Sequence, residues 1–191
     1  MPTRILKSVS TFVSLTPQEE DAFMSIIECV ELKKGDFILK EGQVCDFVIF
    51  VVTGCVRYSF KKDGRTVIAQ FFSENDWYTD YESFLSGNTT KDNVQAMEDS
   101  RCLVIEKIKL EQLYLDYPTF ERLGRVMAEQ ALLGVQRCNK VTNLLSPDEY
   151  YLAFIKNRFD IIQRIPQQFS STNEGMNEDA LKGKKDKEFV N

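Results

Sequence analysis

The sequence predicts an α+β protein in which a barrel, roll or sandwich of short strands lies between helical segments. Three observations predict it. From Lys33 to Lys107 the chain reads as short apolar or alternating runs punctuated by turns, and outside that stretch apolar residues recur at helical spacing. The 191 residues, 43% hydrophobic and 12% aromatic, suffice for one packed domain of ordinary size and a small second one.

The opening residues, MPTRILKSVSTFVSLTPQEE, break into helical and polar pieces. Thr16 then offers an N-cap, Pro17 a first helical position and Glu19, Glu20 and Asp21 an acidic first turn. With Phe23, Ile26, Ile27 and Val30 at helical spacing, a short amphipathic helix is expected up to Val30. The runs DFILKEG, FVIFVVTG, CVRYSFKKDG, TVIAQFF, NVQAMEDS and RCLVIEK follow as strands, and Lys62-Asp63-Gly64-Arg65 marks a hairpin because Asp-Gly tolerates positive φ.

After Ile108 the pattern turns helical, first in KLEQLYLDYP up to Pro118 and then in a long helix from Thr119 to about Leu145, roughly 40 Å in length. Phe120, Gly124, Met127, Ala131, Gly134, Cys138, Val141 and Leu145 alternate at steps of four and three, the repeat that two helices packing along their lengths require. This seam is read as a dimer interface; intrachain core is the alternative. Leu123, Val126 and Leu133 form a second stripe, suited to packing on the strands. Ser146-Pro147-Asp148-Glu149 begins a further helix with a serine cap, and the last 22 residues, with five acids and four lysines, have the composition of a solvated tail.

Composition removes several functions. The net charge of −5 provides no general excess of Lys and Arg, so any DNA contact must use a local patch. The chain has no histidine, which excludes Ser-His-Asp and Cys-His catalysis and most imidazole metal sites. No metal or other cofactor is expected. Five cysteines (Cys29, Cys45, Cys55, Cys102, Cys138) with no C-x-x-C pair are read as buried free thiols. Without an apolar run of about 20 residues or a cleavage pattern, a cytoplasmic protein with no membrane partner is expected. An enzyme would rest on scattered carboxylates such as Glu74, Asp76, Asp80 and Glu82, which charged turns explain, so none is assigned a catalytic role.

Three strings in order resemble the Crp/Fnr transcriptional regulators. LKKGDFILKEGQVCDFVIFVVTGCVRYSF resembles the family's opening, with turns at Gly35-Asp36 and Glu41-Gly42 and a strand pair pivoting on Gly54. NDWYTDYESFLSGNTTKDNVQAMEDSRCLVIEK resembles its phosphate-binding cassette, and LSPDEYYLAFIKNRFDIIQRIPQ the first helix of its winged-helix domain. The resemblance implies a double-stranded, jelly-roll-like β-roll with N-terminal helices over 1–118, a long dimerisation helix over 119–145 and a degenerate winged-helix/helix-turn-helix region over 146–191. It also implies a homodimer, a small-molecule or anionic effector of unknown identity, and DNA as partner.

In cyclic-nucleotide-binding relatives the cassette joins Gly-Glu to a short helix and, ten residues after the glutamate, to an arginine followed by a small residue. Helix amides and the arginine neutralise the cyclic phosphate, and the carboxylate holds the ribose. Here those positions read Thr79-Asp80 and Thr90-Lys91. Thr90 has neither charge nor planar fork, so tight binding of cyclic AMP is not expected, while Lys91 leaves room for a different anion. The ligand candidates are Thr79, Asp80, Tyr81, Thr90 and Lys91; Trp77, Tyr78 and Tyr81 are readable either as stacking groups or as core. In the region that aligns with the helix-turn-helix, Pro166 to Glu188, Gly175-Met176 sits at the turn and Leu181 points inward, but Ser170, Asn173, Glu174 and Lys184 stand where the motif needs apolar residues. The DNA-contacting candidates are Lys182, Lys184 and Lys185, with Gly183 among them and no arginine able to grip guanine bidentately.

Overall fold

Helices α1 (Pro2–Val9) and α2 (Pro17–Ser25) lead into the strands of the computed structural model, which describes residues 2–144 together with 161 and 164. Thr16 caps α2 as expected. Its hydroxyl accepts from the Glu19 amide, and the Glu19 carboxylate accepts from the Thr16 amide at 2.8 Å, closing a capping box. The Thr119 hydroxyl and then the Thr16 amide hold the Glu19 carboxyl below its ordinary pKa. The helix stops at Ser25, five residues short of the expected end, because β1 (Ile27–Leu32) pairs along its length with a later strand. The β-branched Ile26, Ile27 and Val30 fit helical spacing and strand equally, and the tertiary pairing decides.

The remaining elements are β2 (Phe37–Leu39), β3 (Phe47–Thr53), β4 (Val56–Lys62), β5 (Arg65–Phe72), β6 (Trp77–Tyr78), α3 (Tyr81–Ser86), β7 (Asp92–Ala96), β8 (Ser100–Glu106), α4 (Lys107–Asp116) and α5 (Pro118–Leu144). They form two antiparallel sheets ordered β1-β8-β3-β6 and β2-β7-β4-β5. Ile49, Val51 and Cys102 from one sheet meet Leu39, Val56 and Val94 from the other in the core between them. Phe50, Val52, Leu103 and Ile105 point the opposite way, onto Ile5, Val9, Phe23 and Leu113 of the helical layer. Strand β3 is thus covered on both faces, which is why it reads as a continuous apolar run.

Two turns depend on backbone that glycine tolerates best. Asp63 and Gly64 both have positive φ, 51° and 74°, and close the predicted β4–β5 hairpin. Gly54 has φ +98°, and a Cβ there would lie 2.2 Å from Ser100 Oγ. Of the expected buried thiols, Cys45, Cys55 and Cys102 are buried, the last with its pKa pushed up to about 11 by burial, whereas Cys29 is exposed on β1.

The long helix is present, beginning at Pro118, but its seam is divided. Phe120 is fully buried, stacked on Phe23 with ring centroids 5.5 Å apart; a Cβ on Gly124 would meet the Tyr114 hydroxyl; Met127 packs on the same core. These three seam positions are therefore occupied within the chain, because α4 and α2 lie against them. Beyond them Ala131 is half-buried, a Cβ on Gly134 would meet open space, and Leu132, Leu133 and Val135 are exposed. Leu133, expected to pack on the strands, is 41% exposed. The side chains of Cys138 and Val141 lie outside the described residues, as do the capped helix at Ser146 and the whole helix-turn-helix alignment with Lys182, Lys184 and Lys185.

Ile161 and Arg164 contact the roll. Ile161 is fully buried with Cys55, Ile68, Phe71 and Met97. Arg164 donates to both Glu74 oxygens, at 2.8 and 2.9 Å, and to Glu98. No described helix is long and apolar enough to cross a membrane.

Candidate functional site

Alternation along β4 places Tyr58 and Phe60 on one face, ring centroids 6.4 Å apart, and its pairing with β7 sets Phe60 opposite Asp92. The cassette helix α3 supplies the facing wall. Asp80 is its N-cap, Oδ1 accepting from the Ser83 amide at 3.2 Å, and Gly87 ends the helix in left-handed backbone. The Ser83 hydroxyl accepts from the Cys45 amide at 2.8 Å and donates to the Asn88 carbonyl at 2.6 Å, which fixes the returning loop.

Thr90 lies at the end of that loop and is only 4% exposed. Its amide donates to the Gln43 carbonyl, its hydroxyl donates to Asp80 Oδ2 at 2.5 Å, and the Thr90 hydroxyl oxygen accepts from the Asp92 amide at 3.0 Å. The two positions read from the cassette are therefore directly bonded, each satisfying the other. Between these walls is a cavity of about 300 Å³, lined by Tyr58, Phe60, Asp80, Thr90, Lys91 and Asp92 among others.

The charges are unevenly placed. Asp80 and Asp92 are half-buried and Glu82 is on the rim, whereas Lys91 is exposed and Lys61, 65% exposed, is paired with Glu41 at 3.0 Å. Burial pushes the Asp92 carboxyl up, and the Asp80 and Glu82 charges push further; the Tyr58 phenol beside it acts in the opposite sense. Burial also raises Tyr58. Among the described lining residues no cation occupies the inner wall.

Of the five sequence candidates, Asp80, Thr90 and Lys91 line the cavity and two do not. The Thr79 hydroxyl donates instead to the Phe47 carbonyl at 2.9 Å, and Tyr81 begins α3 outside the lining. Trp77 is core: it packs on Phe50 at 4.9 Å and donates from Nε1 to Ser8 Oγ of α1 at 2.9 Å. Tyr78 points into the roll beside Phe72 and Tyr58. The carboxylates named for an enzyme disperse: Glu74 engages Arg164, Asp76 accepts from the Ser73 amide, and Asp80 and Glu82 stand at the cavity. Tyr58 and Phe60 lie outside the cassette string and Asp92 inside it, but none was singled out; the strand alternation Tyr58-x-Phe60 and the position of Asp92 next to Lys91 are the signals that could have marked them.

Residues 29–117 match the family described as the cyclic nucleotide-binding domain. No curated protein sequence matches the chain. Among solved structures, FixK2 of Bradyrhizobium japonicum is similar at TM-score 0.68 and 16% identity, covering 83% of this chain and 82% of that one. The c-di-GMP-responsive global regulator CLP of Xanthomonas campestris is similar at TM-score 0.68 and 12% identity, over 88% and 89% of the two chains. A regulatory subunit of a cAMP-independent protein kinase A from Trypanosoma brucei, carrying three substitutions of which one is threonine to arginine, and bound to cAMP in its A site, is similar at TM-score 0.56 and 16% identity, over 68% of this chain and 45% of that one. These identities speak for fold. Residues 29–117 are thus similar to the cyclic nucleotide-binding domain, and the two-sheet roll is similar in fold to these structures.

Proposed function

We propose that this chain is a cytoplasmic, ligand-sensing transcriptional regulator of the Crp/Fnr type, with roll, helix and C-terminal region divided as 1–118, 119–145 and 146–191, and that it does not respond to cyclic AMP. The observation that carries the reading is the Asp80–Thr90 hydrogen bond at the cavity wall. The cassette keeps its carboxylate at the helix N-terminus, as a sensing pocket needs, while the position of the phosphate-neutralising arginine holds a buried threonine already bonded to that carboxylate. Removing one such charge-assisted contact costs about 2–5 kcal/mol, or about 30- to 5000-fold in affinity. The kinase subunit from Trypanosoma brucei offers a parallel: it is described as cAMP-independent, and its cAMP-bound variant includes a threonine-to-arginine change. The exposed Leu132 and Val135 on α5, which flank the seam positions Ala131 and Gly134, support a homodimer through this later part of the helix.

Calorimetric titration of the whole protein tests the reading. Cyclic AMP gives no micromolar binding, and Thr90→Arg combined with Lys91→Ala raises its affinity at least tenfold; micromolar affinity in the unaltered chain refutes it. A second reading, a dimeric sensor or interaction module that has lost DNA binding, is favoured by the polar residues Ser170, Asn173, Glu174 and Lys184 at positions the motif fills with apolar ones. An electrophoretic shift on genomic fragments at low salt separates the two, since lysines lining a groove retain at least non-specific binding there.

A further inference from the structure

We infer that the face of the roll around Phe71 is a docking site for an aliphatic-x-x-arginine turn, and that this chain fills it reversibly with its own Ile161 and Arg164. The inference goes beyond the sensing role proposed above and does not depend on it. The apolar half of the site comes from a register shift. Between Tyr58 and Ser59 the pairing of β4 with β5 steps from Gln70 to Ile68, leaving Ala69 as the extra residue of a bulge. On either side of the bulge Ile68 and Phe71 join Cys55 and Met97 in a cluster separate from the core between the sheets, where Phe72 lies. Among the described residues Ile161 completes that cluster, and all five are buried. Apolar side chains gathered away from the main core need a cover, and here the cover comes from beyond the long helix.

The polar half is built by two turns. Glu74 follows β5 and accepts from the Gly54 amide at 2.9 Å, and Glu98 stands in the turn between β7 and β8. Arg164 Nη1 donates to Glu74 Oε2 at 2.8 Å, Nη2 donates to Glu74 Oε1 at 2.9 Å, and Nη2 donates also to Glu98 Oε1. Brought this close, the two carboxylates repel unless a cation lies between them, and the planar guanidinium fork grips one bidentately while reaching the other. The Arg164 amide donates to the Ile161 carbonyl at 2.9 Å, so a single turn presents the aliphatic group and the fork together. Two independent features of the roll, an apolar patch and a carboxylate pair, thus select the same turn. The contact described beyond α5 is one buried aliphatic group and one guanidinium side chain that is 29% exposed, small enough to open while the roll stays folded. It fastens the chain two residues ahead of Pro166, where the helix-turn-helix alignment begins, so its opening frees that region from this point of attachment.

Tryptic cleavage of the whole protein after Arg164 tests this, because the protease needs the same guanidinium that the two glutamates hold. When opening is fast compared with cleavage, the rate of that cut follows the open fraction. Glu74→Gln with Glu98→Gln, and separately Ile161→Ser, each speed the cut about tenfold or more, whereas Ile161→Leu leaves it within about twofold. The fluorescence of Trp77, the chain's one tryptophan, packed on Phe50, reports the roll and stays unchanged in all three variants. The first-order rate is the same over about a hundredfold range of protein concentration, as an attachment within one chain requires. A cut as fast in the unaltered chain as in the two opened variants overturns the inference. So does loss of the Trp77 signal along with the faster cut, which makes the contact part of the fold. Protection that grows with protein concentration also overturns it, since the site then belongs to a second copy of the chain.

Discussion

Replacing Arg164 with alanine tests whether the chain beyond the long helix is fastened to the roll. Its guanidinium bridges Glu74 and Glu98, and Glu74 also accepts from the Gly54 amide at 2.9 Å. Arg164 is the main cause that carries the Glu74 carboxyl from an ordinary 4.5 down to about 2. At about 1.36 kcal/mol per tenfold change in proton affinity the fall is worth about 3.4 kcal/mol at most. Both side chains are 29% exposed, so solvent screening reduces the expected stabilisation to about 1–2 kcal/mol. The sign follows from a depressed acid. The stabilisation is complete above about pH 4.5 and is lost as the pH falls towards 2, because the unfolded carboxylate takes its proton first. Thermal unfolding of the Arg164→Ala variant at pH 7 is expected about 2–8 °C below the unaltered protein, and that gap narrows in the acid window. A variant that melts with the unaltered protein at pH 7, or a gap that stays constant from pH 5 to pH 2.5, refutes the reasoning.

Two further outcomes follow from packing. Gly54→Ala forces a Cβ towards Ser100 at positive φ and is expected to lower stability by about 2 kcal/mol or more in denaturant unfolding; an unchanged midpoint contradicts the close approach. On α5, Phe120→Ala is expected to cost about 3–5 kcal/mol by opening the core under the roll without changing the association state, whereas Leu132→Glu with Val135→Glu leaves the monomer stable and raises the dimer dissociation constant at least tenfold in sedimentation equilibrium. If Phe120→Ala dissociates a dimer and the glutamates do not, the division of the seam is wrong.

Elements with local signals were legible from the residues. The Thr16 cap, the Asp63-Gly64 hairpin and the start of the long helix near Pro118 each depend on chemistry within a few residues, and each stands close to where that chemistry puts it. What was not legible depends on distant partners. Ile26, Ile27 and Val30 satisfy either period, and β8 draws Ile27 and Val30 into a strand; Trp77–Tyr78 is too short to show any period and becomes β6 by pairing with Ile49 and Phe50. The seam on α5 is continuous in sequence, but only α2 and α4 determine which part of it is covered. At the site, Asp80 and Thr90 were identifiable through their places in a known cassette, whereas Tyr58, Phe60 and Asp92 reach the cavity through the β4–β7 register. Arg164 sits in a string that resembles a helix of another domain, and nothing local signals that it meets Glu74, ninety residues away in the chain.

One residue type accounts for much of what distinguishes this cavity. An arginine at position 90 would neutralise Asp80 and leave the pocket ready for a phosphate; threonine cannot, so the carboxylate needs other partners. It has the Ser83 amide and the Thr90 hydroxyl, which solvate its charge without cancelling it. The neighbouring Asp92 is pushed up by its burial and by the Asp80 and Glu82 charges, while the Tyr58 phenol and Lys91 act in the opposite sense. At this wall of the cavity a hydrogen bond therefore stands where the relatives' cassette has a charged arginine.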